Sequence, residues 1–149
     1  MSIYLAPLPA IPHPGFDSLL AELPPASVPA FKAAAPALGT LLQSAPYLLE
    51  LARIHADWLA DALERGPDAV FAELLTSVAE AAATADEASL GQTLRVAKGR
   101  TALLAAVAET GGVWTTARAT EALSDLADAA LEAALDFLMG QAFDKGQLL

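Results

Sequence analysis

An all-α fold is predicted by three observations. Alanine, leucine and glutamate dominate the 149 residues while aromatics make up only 6%, a balance that favours helix. From position 44 onward, apolar residues recur at i, i+3 and i+4, the period of a helix with one buried face. Between those stretches stand helix stop and start signals, among them Gly66-Pro67, Thr84-Ala-Asp-Glu87 and Gly111-Gly112.

The elements follow in order. Met1 to Pro14 is apolar and broken by Pro7, Pro9, Pro12 and Pro14, which predicts a proline-rich extended N-terminal arm. A short helix over 17–23 is expected next, with Asp17 as its cap, ended by Pro24-Pro25. Two further helical pieces, 27–34 and 36–42, are separated by Pro36, which should keep Ala35 out of the α region. Residues 1–43 thus read as an arm and short helices that wrap rather than bundle. Residues 44–149 read as one helical region.

Ser44 is placed to cap a helix carrying Pro46 in its first turn, where the missing N–H costs nothing. A junction near His55–Asp57 should precede a helix bearing Trp58, Leu59, Ala62 and Leu63. After Gly66-Pro67, Phe71, Leu74, Leu75, Val78, Ala82 and Ala85 form the next apolar stripe. Thr84 and Glu87 have the spacing of a capping box for a helix carrying Leu90, Leu94, Ala97, Thr101, Leu104 and Ala108 on one face. Gly111-Gly112 should supply a left-handed C-terminal cap, and Thr115 or Thr116 should cap the last helix. The expected stripe of that helix runs Leu123, Leu126, Ala127, Ala130, Leu131, Ala134, Phe137 and Leu138, about 24 Å at 1.5 Å per residue. The short Gly-Gly-Val-Trp-Thr connection makes these two helices a long antiparallel αα-hairpin.

Charge and composition exclude several functions. A formal net charge of −10 lacks the positive field of a nucleic-acid binder and disfavours anionic lipid. The longest apolar runs, such as 102–108, fall short of the roughly 18–20 residues that span a bilayer. No secretory signal opens the sequence, so a cytoplasmic location is expected. With two histidines and no cysteine, a structural zinc site is not expected.

The order of motifs in the second half carries a resemblance. Ser44-Ala-Pro-Tyr-Leu, His55-Ala-Asp-Trp-Leu, Leu94-Arg-Val-Ala-Lys-Gly-Arg, Gly112-Val-Trp and Glu121-Ala-Leu-Ser-Asp-Leu-Ala-Asp occur in sequence. The chain from about Ser44 to Leu138 resembles the bifunctional glutamine synthetase adenylyltransferase/adenylyl-removing enzymes. The resemblance implies two-headed enzymes that attach AMP to a tyrosine of glutamine synthetase and remove it by phosphorolysis. It implies Mg and ATP as cofactors of the parent enzyme, and glutamine synthetase and a PII-type signalling protein as partners. The family's active sites use a Gly-Ser and Asp-x-Asp constellation, and neither motif occurs in this chain. The matching part is therefore expected to be the N-terminal helical region of the adenylyl-removing half, preceding a nucleotidyltransferase domain of the same protein and not itself catalytic. An apolar surface left by that domain is expected to drive self-association, around Phe143, Leu148 and Leu149 among others.

Arg95, Lys98 and Arg100 are the only basic cluster. A planar guanidinium suits bidentate oxyanion contacts, so these are candidate phosphate contacts. The structural alternative is pairing with an acidic neighbouring helix or contact with another domain. Gly99 between them costs about 1 kcal/mol in a helix interior and should permit close helix contact. Glu121, Asp125, Asp128 and Glu132 form an acidic row, read as a solvated face rather than a cation site. His55 reads as a junction or capping residue, and Trp58, Gly112 and Trp114 as structural anchors. No catalytic residue and no metal ligand is assigned. The competing reading is a complete small helical module that binds a protein partner along an apolar stripe; a surface-active protein of the phasin type is a third.

Overall fold

Proline decides where the helices begin. The computed structural model describes residues 12–84 and 86–146, and among them it has eight helices and no strand. In order these are α1 (Pro14–Glu22), α2 (Val28–Ala33), α3 (Ala35–Ser44), α4 (Pro46–Ile54), α5 (Ala56–Arg65), α6 (Pro67–Thr84), α7 (Glu87–Thr110) and α8 (Thr116–Asp144). Each of α1 to α4 carries proline in its first turn, where no intrahelical N–H bond is lost and φ is already helical.

This placement corrects several expected starts. Pro14 opens α1, so Asp17 lies in its first turn and is not its cap; there its carboxylate complements the helix dipole. Ala35 is the first residue of α3, and the irregular backbone falls one residue earlier, at Ala34 (φ −89°, ψ 1°). Ser44 is the last residue of α3; its hydroxyl donates to the Thr40 carbonyl at 2.8 Å, leaving Ala45 before α4 without a side-chain cap. The arm over residues 1–11 lies outside the described residues.

The short helices share a core. Phe16 and Leu19 of α1, Phe31 of α2, Leu38 and Leu42 of α3 and Leu59 of α5 are buried together. Thus α1 to α3 do more than wrap: they bury their largest side chains against α4, α5 and the end of α7. Polar ties hold the rim. The Ser27 hydroxyl donates to Asp57 Oδ1 at 2.7 Å, and Arg53 Nε reaches Glu22 Oε2 at 2.7 Å.

Gly66, at φ +93°, ends α5 and admits the sharp entry into α6. Beyond it lies the second core, with Phe71, Leu74 and Val78 of α6, Leu90 and Leu104 of α7, and Leu126 of α8. The N-cap falls two residues later than the expected Thr84. Asp86 is the N-cap of α7 and accepts from the Ser89 N–H at 2.8 Å, because the helix starts at Glu87. The far end follows the sequence reading. Gly112 is left-handed at φ +71°, and the N–H groups of Val113 and Trp114 both reach the Ala108 carbonyl, at 2.9 and 3.0 Å. Thr115 then caps α8 by accepting from the Arg118 N–H at 3.1 Å.

Helix α7 belongs to both cores. Leu90, Ala97, Leu104 and Ala108 face α6 and α8, while Leu103 and Val107 face the short helices. The buried face of α8 differs from the expected stripe. Ala119, Ala122, Leu126 and Ala133 are buried, whereas Leu123, Leu131 and Leu138 stand 47–60% exposed. Alanines allow backbones to approach closely, so the small-residue face packs and the leucine face is left outside. Phe143 is exposed as well; Leu148 and Leu149 lie outside the described residues. No helix among the described residues is long and apolar enough to cross a membrane.

Candidate functional site on the cationic face of α7

The candidate basic residues sit in the middle of α7, and the helix periodicity divides them. Arg95 and Lys98 are one turn apart and both border a cleft against α4. Arg100 points the other way, towards the α4–α5 junction. Its guanidinium carbon lies 5.1 Å from the Trp58 ring centroid, a cation–π contact. Trp58 itself is half-buried and packs against both cores. It bridges the two cores and is the platform for Arg100.

None of the three cations meets a carboxylate. Arg95 Nη2 donates to the neutral Gln92 Oε1 at 3.0 Å. Lys98 has no hydrogen-bond or ion-pair partner among the described residues. Arg100 Nε is buried without a partner, and burial lowers the affinity of that guanidinium for its proton. Pairing with the acidic face of α8, one of the two structural alternatives, does not occur among the described residues. Gly99 lies between these residues and permits the close contact expected of it. A Cβ there would meet Leu51 Cδ2 at 3.1 Å and His55 Nε2 at 3.6 Å.

His55 occupies the break between α4 and α5, with φ −112° and ψ 31°, and makes no side-chain cap. Its imidazole rests over Gly99. Burial first, and then the charge of Arg100, hold its pKa below the ordinary histidine value. His55 is thus a junction residue and not a side-chain cap, and it stands between Arg95 and Lys98 on one side and Arg100 on the other.

Trp114 is buried, with its ring edge-on to Phe71 at 6.0 Å between centroids. The residue that completes this anchor escaped the sequence reading. The Arg118 guanidinium lies 4.9 Å from the Trp114 ring and 5.5 Å from Phe71. It also reaches Asp68 at 3.3 Å, Glu121 at 3.4 Å and Asp125 at 3.5 Å. Arg118 so ties the start of α8 to the start of α6. The signal was present, since Arg118 lies four residues beyond Trp114 and three before Glu121.

Glu121 and Asp125 of the acidic row serve this tie. Among the described residues no three His, Asp or Glu side chains gather to hold a metal ion.

The chain is similar to curated enzymes named bifunctional glutamine synthetase adenylyltransferase/adenylyl-removing enzyme. That of Xanthobacter autotrophicus is 40% identical over 108 residues, covering 72% of this chain and 11% of the relative. That of Bradyrhizobium diazoefficiens is 36% identical over 140 residues, covering 89% of this chain and 14% of the relative. That of Rhodopseudomonas palustris strain HaA2 is 36% identical over 113 residues, with 75% and 11% covered. The chain thus spans 11–14% of the length of these relatives. No solved structure matches it. A family model described as glutamate-ammonia ligase adenylyltransferase matches residues 35–148, from the start of α3 through α8. On that match and those identities, the chain belongs to the glutamate-ammonia ligase adenylyltransferase family.

Proposed function

We propose that this chain is a non-catalytic helical support for a nucleotidyltransferase domain of the same protein. That protein would attach AMP to a tyrosine of glutamine synthetase and remove it by phosphorolysis, so regulating nitrogen assimilation. In this reading residues 1–43 form the arm and short helices, and residues 44–149 the region that precedes the catalytic domain. Mg and ATP bind on that domain, a PII-type protein regulates it, and the protein works in the cytoplasm.

The observation that carries the reading is the leucine face of α8. Leu131, Leu135, Leu138 and Met139 are 49–60% exposed on one helix. A contiguous apolar face of this kind marks a surface meant to be covered. The matched region is 11–14% of the relatives' length, so most of such an enzyme lies elsewhere and can supply the cover.

A chimaera tests this. The matched region of the Xanthobacter autotrophicus enzyme is replaced by this chain, and phosphate-dependent release of ADP from adenylylated glutamine synthetase is measured. Activity within about tenfold of the parent, an energetic difference under about 1.4 kcal/mol, is expected. Leu131→Asp with Leu135→Asp should lower it further, by exposing the interface to water. A folded chimaera that is silent, or one indifferent to those two substitutions, would retire the proposal in favour of an independent protein-binding module.

A further inference from the structure

The cations of this chain fall into two groups. Outside α7 every arginine is ion-paired more than once: Arg53 with Glu22 and Glu50, Arg65 with Asp61 and Glu73, Arg118 with Asp68, Glu121 and Asp125. Inside α7, Arg95, Lys98 and Arg100 have no carboxylate partner among the described residues. The sequence has 18 acidic residues against 8 basic ones, yet residues 88–108 contain none of the acids. A positive field is thus left uncompensated within a strongly negative molecule.

The field is housed in a cleft. Between α4 and α7 lies a shallow, open cleft of about 380 Å³, whose polar lining is Tyr47, His55, Gln92, Arg95 and Lys98. No carboxylate lines it. Leu51, Ile54 and Val96 form its apolar wall, and Gly99 its floor. Arg100 stands behind His55, fixed on Trp58, and adds charge without being neutralised.

We propose that the α4–α7 cleft is a binding site for a small soluble phosphomonoester. The phosphoryl dianion lies between Arg95 and Lys98, and the ester body rests on the apolar wall. A dianion calls for more than one cation, and an arginine fork beside a lysine point charge supplies both kinds of contact. Gln92 now satisfies Arg95 through a neutral amide oxygen, a bond that a phosphoryl oxygen replaces at a gain. A nucleic acid is disfavoured as ligand because the net charge of −10 repels a polyanion. The site goes beyond the support role proposed above and does not depend on it.

The test titrates the whole chain with phenyl phosphate and with inorganic phosphate, by calorimetry and by the NMR signals of His55. Phenyl phosphate is expected to saturate, and to bind severalfold more tightly than inorganic phosphate because only it reaches the apolar wall. Arg95→Gln with Lys98→Gln should weaken binding by roughly tenfold or more. Arg65→Gln with Lys32→Gln, which removes the same charge elsewhere, should not. Gln92→Glu leaves both cations in place but gives Arg95 an internal carboxylate, and should weaken binding likewise. The His55 pKa should rise on binding, since the ligand offsets Arg95, Lys98 and Arg100 while Arg53 and Asp57 at the junction stay as they are. Binding unaffected by Gln92→Glu and by the double substitution would overturn the proposal. So would the absence of saturable binding, or binding seen only with phosphatidate vesicles.

Discussion

The two sides of Gly66 solve the same problem differently. Before it stand five helices of 6 to 10 residues, none with a side-chain N-cap. After it stand three of 18, 24 and 29 residues, of which α7 and α8 are capped by Asp86 and Thr115. Helices as short as the first five are unstable alone, because the cost of nucleation is spread over too few bonds. They persist by burying Phe16, Phe31 and six or more leucine and alanine neighbours in a common core, an order-of-magnitude gain of about 1.5–3 kcal/mol for each large side chain. The long helices have intrinsic propensity and, in α7 and α8, side-chain caps, and can meet through alanine. Large side chains thus compensate for short helices, and long helices permit small contacts.

The largest expected effects test whether these halves are energetically separate. Phe31→Ala and Phe71→Ala should each destabilise by about 3–5 kcal/mol, since both rings are at most 2% exposed. Because α7 contributes to both cores, denaturant unfolding should remain a single transition in each variant, coincident by fluorescence and circular dichroism. Two transitions in Phe31→Ala would split the molecule at Gly66.

Glycine substitutions sharpen the contrast at a smaller scale. Gly99→Val forces α4 away from α7, where even a Cβ would lie 3.1 Å from Leu51, and should cost about 1–3 kcal/mol. Gly140→Ala lies on α8 with nothing within 4 Å, and should gain up to about 1 kcal/mol. Equal effects in thermal melts would mean that the α4–α7 approach is looser than described.

Polar ties come next. Thr115→Ala should cost about 1 kcal/mol through loss of the α8 cap. Ser27→Ala should cost a similar amount, about 1 kcal/mol, by leaving Asp57 without its donor. Chemical denaturation distinguishes either loss from zero.

The smallest effect is a pH dependence confined to the first half and its junction. His55 has a folded pKa below its unfolded value near 6.5. Its neutral form therefore contributes stability that is present above about pH 6.5 and is lost as pH falls through the lower folded value. His55→Gln should flatten the stability–pH curve in that window. An unchanged slope would place the proton uptake elsewhere.

Much of this was legible beforehand, unevenly so. The ends of α7 and α8 were readable because Gly112 and Thr115 act locally, through φ and a hydroxyl. The starts of α1, α3 and α4 were misplaced because proline both breaks and begins helices, and only neighbours decide which. The α8 stripe was misread for a different reason: hydrophobicity favours leucine over alanine, but packing distance favours the reverse. The basic cluster was read as one group although its spacing divides it around the helix, and the Trp58 platform under Arg100 joins residues far apart in sequence. Arg118 was missed because its partners are shared between α6 and α8.

The alanines of α7 have a consequence for how this sequence tolerates change. Ala97, Ala105 and Ala108 are at most 5% exposed in a helix that is packed on both sides. An added methylene at a surface of one core can be absorbed by a shift towards solvent. Here such a shift would press into the other core, so the helix has no free direction in which to yield. In a saturation mutagenesis screen for folding of the isolated chain, these positions should accept only glycine, serine and cysteine, while the leucines on the outer face of α8 vary widely. What looks like low-complexity filler is then the least interchangeable part of the chain.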